Sequence, residues 1–403
     1  MPSTLPDGDP VPDDGALPKA ALSSLHDEAF GVYVHVPFCA TRCGYCDFNT
    51  YTASELGSGA SRETYADLVM GEIALSARVL GSDLPPVSTV FFGGGTPTLL
   101  PDGALPSILE RIDATYGLAA GAEVTTEANP DSVDAKSLAR LRSGGINRIS
   151  FGVQSAVPHV LATLDRTHDA ARVPEVVAAA RDAGFEQLSV DLIYGTPGES
   201  IADWQASLDY AVGLAPDHVS AYALIVEEGT ALARQVARGE MAAPDDDEMA
   251  DKYVLADEIL SDAGMSWYEL SNWARTPAAR CRHNELYWTG ANWWGFGPGA
   301  HSHIGGVRWW NVKHPAAYAQ RLAGRRTPAH AREVLDDDTR RIERVLLESR
   351  LRDGLAVDVL DSSGAAAVPG LVSDGLVVQD DGFLILTRRG RLLADAVVHR
   401  LTP

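Results

Sequence analysis

Short runs of β-forming residues recur along the first two-thirds of this chain at roughly thirty-residue spacing, and a helical pattern follows each. The runs begin near Gly31 (GVYVHV), Val87 (VSTVFF), Glu123 (EVTTEA), Arg148 (RISFGV), Gln187 (QLSVDLIYG) and His218 (HVSAYALIV). Helical stretches such as Glu63 to Leu80 and Ser200 to Gly213 lie between them. Strand–helix alternation of this kind predicts an α/β fold, a complete or partial parallel (β/α)6-type barrel with its helices outside. The polar and glycine-rich signals fall at the C-terminal ends of the strands. A cysteine run follows the first and Gly93-Gly94-Gly95-Thr96-Pro97 the second; Glu127 closes the third, Gln154 the fourth, and Asp191 sits late in the fifth. In a βα barrel that face carries the active site, so these residues are expected to form one site.

At 403 residues the chain suits one large domain plus a smaller one. With 33 Lys and Arg against 55 Asp and Glu, the net charge of -22 disfavours nucleic acid and anionic membranes as partners. No stretch approaches the roughly 20 apolar residues of a membrane span. The start of the chain is rich in Pro, Asp and Gly and has no signal-peptide pattern, which makes the cytoplasm the default address. The expected division is a disordered tail over 1–24, the barrel over 25–265, a Trp-rich connecting segment over 266–330, and a small C-terminal domain over 331–403. Pro244-Asp245-Asp246-Asp247-Glu248 opens a helix through about Ala263, its acids placed where the helix dipole favours them. The last domain reads as a helix from Arg340 to Leu351, a further helical stretch, a hairpin at Asp380-Asp381-Gly382 and a helix from Arg388. That order resembles a winged helix, an α+β unit, whose Arg388, Arg389 and Arg391 are its only argument for nucleic acid; a docking role agrees better with the overall charge.

Cys39-Ala-Thr-Arg-Cys43-Gly-Tyr-Cys46 spaces three cysteines C-x3-C-x2-C directly after a strand. Three thiolates in one short loop can hold three corners of a [4Fe–4S] cubane, leaving the fourth iron open to a bidentate amino and carboxylate group such as that of S-adenosylmethionine. The alternative is zinc, with Cys281 or a histidine as fourth ligand, although structural zinc usually employs paired knuckles and only one C-x2-C is present. The motif resembles the signature of the radical S-adenosylmethionine superfamily. The longer string Tyr33-Val-His35-Val-Pro37-Phe38-Cys39 is similar to anaerobic coproporphyrinogen III oxidases and, among their relatives, to the HemW-type haem chaperones. The resemblance covers the chain from about Gly31. The oxidase pattern has a fourth cysteine two places after the third; here that place is Phe48, as in HemW-type sequences.

The resemblance implies that Tyr33, Gly94, Gly95, Thr96, Glu127, Gln154, Arg166 and Asp191 contact S-adenosylmethionine. The chemistry is suitable: consecutive glycines admit close backbone approach, carboxylates accept from an amine or ribose, and Arg166 can pair with a carboxylate. Each of these is otherwise an ordinary polar residue at a barrel end.

Seven of the eight tryptophans lie between Trp267 and Trp310, in a stretch that also carries Cys281, His283, His301 and His303. Cys281-Arg282-His283-Asn284-Glu285-Leu286-Tyr287-Trp288 contains H-N-x-x-Y-W, which looks like the haem-binding motif of HemW-type proteins. Aromatic walls and an imidazole suit a haem, with His283 as ligand and Cys281 or His301 as alternatives. Lys313 or Arg308 would then pair with propionates. The plainer alternative is a tryptophan packing layer with His283 as a hydrogen-bonded core residue. Together these features predict a haem chaperone that binds haem, a [4Fe–4S] cluster and S-adenosylmethionine and hands haem to an acceptor protein that the sequence does not name. The rival is an oxygen-independent coproporphyrinogen III oxidase, a radical enzyme that decarboxylates propionates.

Overall fold

The computed structural model describes residues 7–56 and 60–403. Six strands run parallel: β1 (Phe30–Val36), β2 (Val87–Gly94), β3 (Leu118–Ala128), β4 (Arg148–Gln154), β5 (Gln187–Tyr194) and β6 (His218–Ala223). They begin where the β-type runs begin, except that β3 starts five residues early because Leu118 pairs with Val87. Alternation sorts their side chains. One face sends Val90, Phe92, Ile149, Phe151, Val190 and Val219 under the helices, all fully buried. The other face turns inward and is polar.

The six strands are the middle of a single twelve-stranded sheet that does not close. Beyond β6 lie β8 (Asn272–Ala274) and β7 (Ser266–Glu269), both antiparallel to their neighbours. Beyond β1 lies β9 (Asn292–Phe296), parallel to it, followed by the antiparallel β10 (His301–Ile304), β11 (Val307–Asn311) and β12 (Ala329–Val334). The Trp-rich segment is therefore not a layer of its own. It supplies β7 and β8 at one edge of the barrel sheet and β9, β10 and β11 at the other. The short helix Arg282–Trp288, which lies between these edge segments in sequence, packs across the N-terminal ends of β1, β2 and β3, with Leu286 and His283 against Gly31, His283 on Thr89 and the Arg282 and His283 N–H groups on Glu123.

The expected disordered tail is corrected for its described part. Asp9 exchanges backbone hydrogen bonds with Arg332 at 2.8 and 3.0 Å, Thr327 N–H donates to Asp13, and Ala21 and Leu25 are buried. The cause is β12, an edge strand whose unpaired backbone groups need a partner. Met1 to Pro6 lie outside the described residues.

The last residues form the expected winged-helix-like unit. Helix Asp337–Glu348 leads to β13 (Leu355–Ala356), helix Ser362–Ser373, and the hairpin of β14 (Val377–Asp380) and β15 (Phe383–Leu386). Asp381 and Gly382 have φ of 44° and 84°, the positive pair that a two-residue hairpin turn requires. Val345, Leu355, Leu371, Leu384 and Leu401 make a core of its own. Its arginines are committed to docking and packing. Arg388 and Arg391 bind Asp257 on the helix Asp246–Asp262, and Arg389 donates to the Asp374 carbonyl. Among the described residues no helix is long and apolar enough to cross a membrane.

Candidate functional site

Strand β1 delivers the chain into the cysteine loop, which turns over the C-terminal ends of the strands. Cys39, Cys43 and Cys46 are free thiols, half-buried, and line one hollow of about 240 Å³. Gly94, Gly95, Thr96, Glu127, Gln154, Arg166 and Asp191 line the same hollow, so seven of the eight expected contacts are brought together with the thiols. Tyr33 is the exception. It faces a second cavity deeper in the barrel, with its hydroxyl 3.0 Å from His35 Nδ1.

Local geometry explains the residue types. A Cβ on Gly95 would come within 2.5 Å of the Phe38 carbonyl oxygen, a backbone atom that cannot step aside. Gly94 has φ of 107° and gives its N–H to Glu127 Oε2 at 3.0 Å. Gln154 takes φ of 65° at a bulge in β4, an uncommon conformation for a side-chain-bearing residue, and this ends the strand at the hollow. Arg166 donates from Nη2 to the Gly152 carbonyl at 2.6 Å and lies with Nη1 3.7 Å from Cys43 Sγ. Burial, then the neighbouring Asp191, push the Glu127 carboxyl up to about 8 against the pull of the Gly94 N–H. Burial also raises the Cys39 thiol and pushes Cys46 up to about 11, so loading a thiolate-bound cluster would release protons.

This donor set fits an iron–sulfur cluster with a small zwitterion beside it: three thiols on one wall, and a glycine cradle with polar strand ends on the other. It fits the zinc alternative poorly. Cys281 lines the inner cavity with its Sγ 3.7 Å from Glu123 Oε1, and among the described residues no three His, Cys, Asp or Glu side chains gather closely enough for a single metal ion.

The inner cavity, about 380 Å³, lies beneath the hollow and shares Glu127 and Asp191 with it. Its floor is the helix Arg282–Trp288. Glu123 holds that helix in place by accepting from the Arg282 and His283 N–H groups at 3.2 and 3.1 Å. His283 is buried. Its Nδ1 meets Thr89 Oγ1 and its Nε2 meets the Tyr287 hydroxyl, each at 2.8 Å, and its ring stacks on Phe91 at 5.2 Å. Cys281 and His301 line the same cavity. Lys313 lines a separate groove outside the cysteine loop, and Arg308 is paired with Glu333 and Glu343.

Sequence reasoning missed Glu123, Arg148, Ser150, Ser189, His218 and Ser220 at this inner site. The signal was present as hydroxyl and charged residues at alternate strand positions, facing a lumen instead of a packed core. His218 lies 2.7 Å from Ser189 Oγ and 2.8 Å from the Tyr268 hydroxyl. Burial, helped by Arg148, holds it well below the ordinary imidazole range. A lowered imidazole stabilises the fold above its unfolded value near pH 6.5, and that stability is lost as the pH falls. The thermal midpoint should therefore drop between pH 6.5 and 5. His218→Gln should remove about one proton, or about 1.4 kcal/mol per pH unit, from that slope. An unchanged slope would show that His218 is not held neutral.

Residues 33–211 match the family model of the radical SAM superfamily. The heme chaperone HemW of Mycobacterium tuberculosis H37Rv is 51% identical over 380 residues, covering 94% of this chain and 96% of the relative. The heme chaperone HemW of Bacillus subtilis is 30% identical, covering 91% and 97%. The coproporphyrinogen III oxidase HemN of Escherichia coli superposes with a TM-score of 0.80 at 22% identity, covering 96% of this chain and 94% of that one, which extends the shared fold to the C-terminal domain. The cysteine loop, the glycine cradle and these relatives agree: the chain belongs to the HemW heme chaperone family of the radical SAM superfamily.

Proposed function

We propose that this chain binds haem and passes it to an acceptor protein in the cytoplasm or at a membrane, while Cys39, Cys43 and Cys46 hold a [4Fe–4S] cluster. The observation that carries the reading is the helix Arg282–Trp288, which turns His283 and Tyr287 of H-N-x-x-Y-W into the barrel lumen. In support, the relatives named heme chaperones match nearly the whole chain. Phe48 stands half exposed where the oxidase pattern has its fourth cysteine. Arg388 and Arg391 bind Asp257 and Arg389 bonds the Asp374 carbonyl, which supports a docking role for these arginines.

When bound, S-adenosylmethionine on the cluster supplies a sulfonium that the reduced cluster can cleave. The chain's own part is to place that ligand. The Gly94–Gly95 backbone admits it, Glu127 and Asp191 offer acceptors, and Arg166 offers a cation beside Cys43. For haem, His283 Nε2 is the nitrogen able to exchange its partner. Tyr287 sits one turn along the same helix, whereas Thr89 on β2 would go on orienting the ring through Nδ1, as metal-bound imidazoles are usually oriented.

Haem titration of the cluster-loaded full chain tests this. Wild type should saturate at about one haem per chain, taking haem as a single-site ligand. His283→Ala should shift the Soret band and weaken binding at least about tenfold, and Tyr287→Phe, which frees Nε2, should keep the wild-type spectrum and tighten binding. An unchanged spectrum in His283→Ala would move the ligand to Cys281 or His301. Absence of saturable binding would sink the chaperone reading in favour of a coproporphyrinogen decarboxylation assay.

A further inference from the structure

The inner cavity contains one guanidinium that the fold leaves partly unmet. Arg148, the first residue of β4, is 1% exposed. Its Nη1 donates to the Ala279 carbonyl at 2.9 Å, while its Nη2 is buried without a partner among the described residues. The nearest acid is Glu123, with Oε2 3.8 Å from Nη1, and that carboxylate also anchors the helix Arg282–Trp288. An arginine cannot shed its charge, and a buried charged donor left unmet is costly. Among the described residues Arg148 is the only Lys or Arg lining the cavity.

The neighbouring groups say what could meet it. His218 and His283 have both ring nitrogens engaged, and the Ser150 hydroxyl donates to Asp191 at 2.7 Å. Glu127 and Asp191 face the upper part of the cavity. By strand pairing Glu127 stands level with Ser150, two residues along β4 from Arg148 or about 7 Å at the rise of a strand, and the Asp191 carboxylate reaches the same level, where it accepts from Ser150. Both lining acids thus stand a level above the cation, which lies at the floor beside Glu123. Phe91, Tyr287 and Trp293 supply an aromatic wall, and Asn284, the second residue of H-N-x-x-Y-W, lines the floor with Arg148. The volume, about 380 Å³, lies in the range of small-molecule pockets.

We infer that this cavity is a carboxylate-binding site, in which Arg148 Nη2 receives the carboxylate of an organic acid whose apolar body lies on the aromatic wall. The acid is either a separate small molecule or a propionate of haem itself. Only the second source rests on the haem reading, so the site stands if that reading fails.

The test compares acids with their neutral counterparts on the cluster-loaded full chain by calorimetry: 3-phenylpropionate against 3-phenylpropanamide, and haem against its dimethyl ester. For at least one pair, wild type should prefer the acid by about tenfold or more, as a charge-assisted pair in a dry site requires. Arg148→Lys and Arg148→Met should cut that preference to below about twofold, the lysine variant keeping a cation that supports folding. Each preference is a ratio within one variant, so general destabilisation cancels. Loss of the haem preference identifies a propionate as the acid, and loss of the phenylpropionate preference alone identifies a separate small acid. The inference is overturned if wild type shows no acid preference in either pair, or if every preference survives both substitutions; water then serves Nη2.

Discussion

Replacing Cys43 by alanine is expected to take the anaerobically reconstituted protein from about four iron atoms per chain to fewer than one, because a cubane retained by only two thiolates is labile. Cys43 is chosen because its Sγ lies 3.7 Å from Arg166 Nη1, the cation best placed to stabilise a thiolate in the hollow. Cys281→Ala is the control. Cys281 is buried at the floor of the other cavity beside Glu123, so its loss should leave iron content unchanged. Iron and acid-labile sulfide measured together decide the matter. Wild-type levels in Cys43→Ala, or zinc without iron in wild type, would remove the cluster from the three-cysteine loop.

Asp257→Ala should be the most destabilising single change outside the site, at roughly 3–5 kcal/mol, the usual cost of leaving a buried cation without its partner. Asp257, buried on the helix Asp246–Asp262, accepts from both Arg391 Nη atoms at 2.9 and 2.7 Å, Arg388 Nε at 2.8 Å and Trp273 Nε1 at 3.1 Å. One carboxylate thus joins the barrel helix, strand β8 and the C-terminal domain. Arg391 is itself buried, with its guanidinium 4.5 Å from the centre of the Trp267 ring, so removing Asp257 strands a desolvated charge. Arg391→Met in the same background should recover much of the loss, since the charge left unpaired would be gone. Chemical denaturation of the two single variants and the double variant measures it. An Asp257→Ala loss below about 1 kcal/mol would place the pair in the weak class of solvent-screened bridges.

Much of this architecture was legible because the signals were local. A period of two over six or seven residues marks a strand whatever surrounds it, and Ser200 and Asp245, read as helix starts, cap their helices by accepting backbone N–H groups. The C-x3-C-x2-C loop and the glycine run were likewise visible because each is set by covalent spacing. The tail was misjudged because composition describes a segment without its neighbours: a Pro- and Asp-rich stretch looks unable to order itself, and an unpaired strand edge orders it.

By itself, then, the sequence determined the parallel strands, the thiol loop and cradle at their C-terminal ends, and the winged-helix-like end domain, since each follows from short-range periodicity, spacing or turn chemistry. Only the tertiary structure decided that the tryptophans divide between two edges of one sheet, that H-N-x-x-Y-W forms the floor of the lumen, and that Tyr33 faces the inner cavity. It alone brought Arg148 to the floor of a lumen with a donor unmet. The physical reason is that edge pairing, barrel closure and burial depend on contacts between residues more than a hundred positions apart, such as Arg148 with Ala279 and Cys281 with Glu123, and no local pattern encodes their meeting.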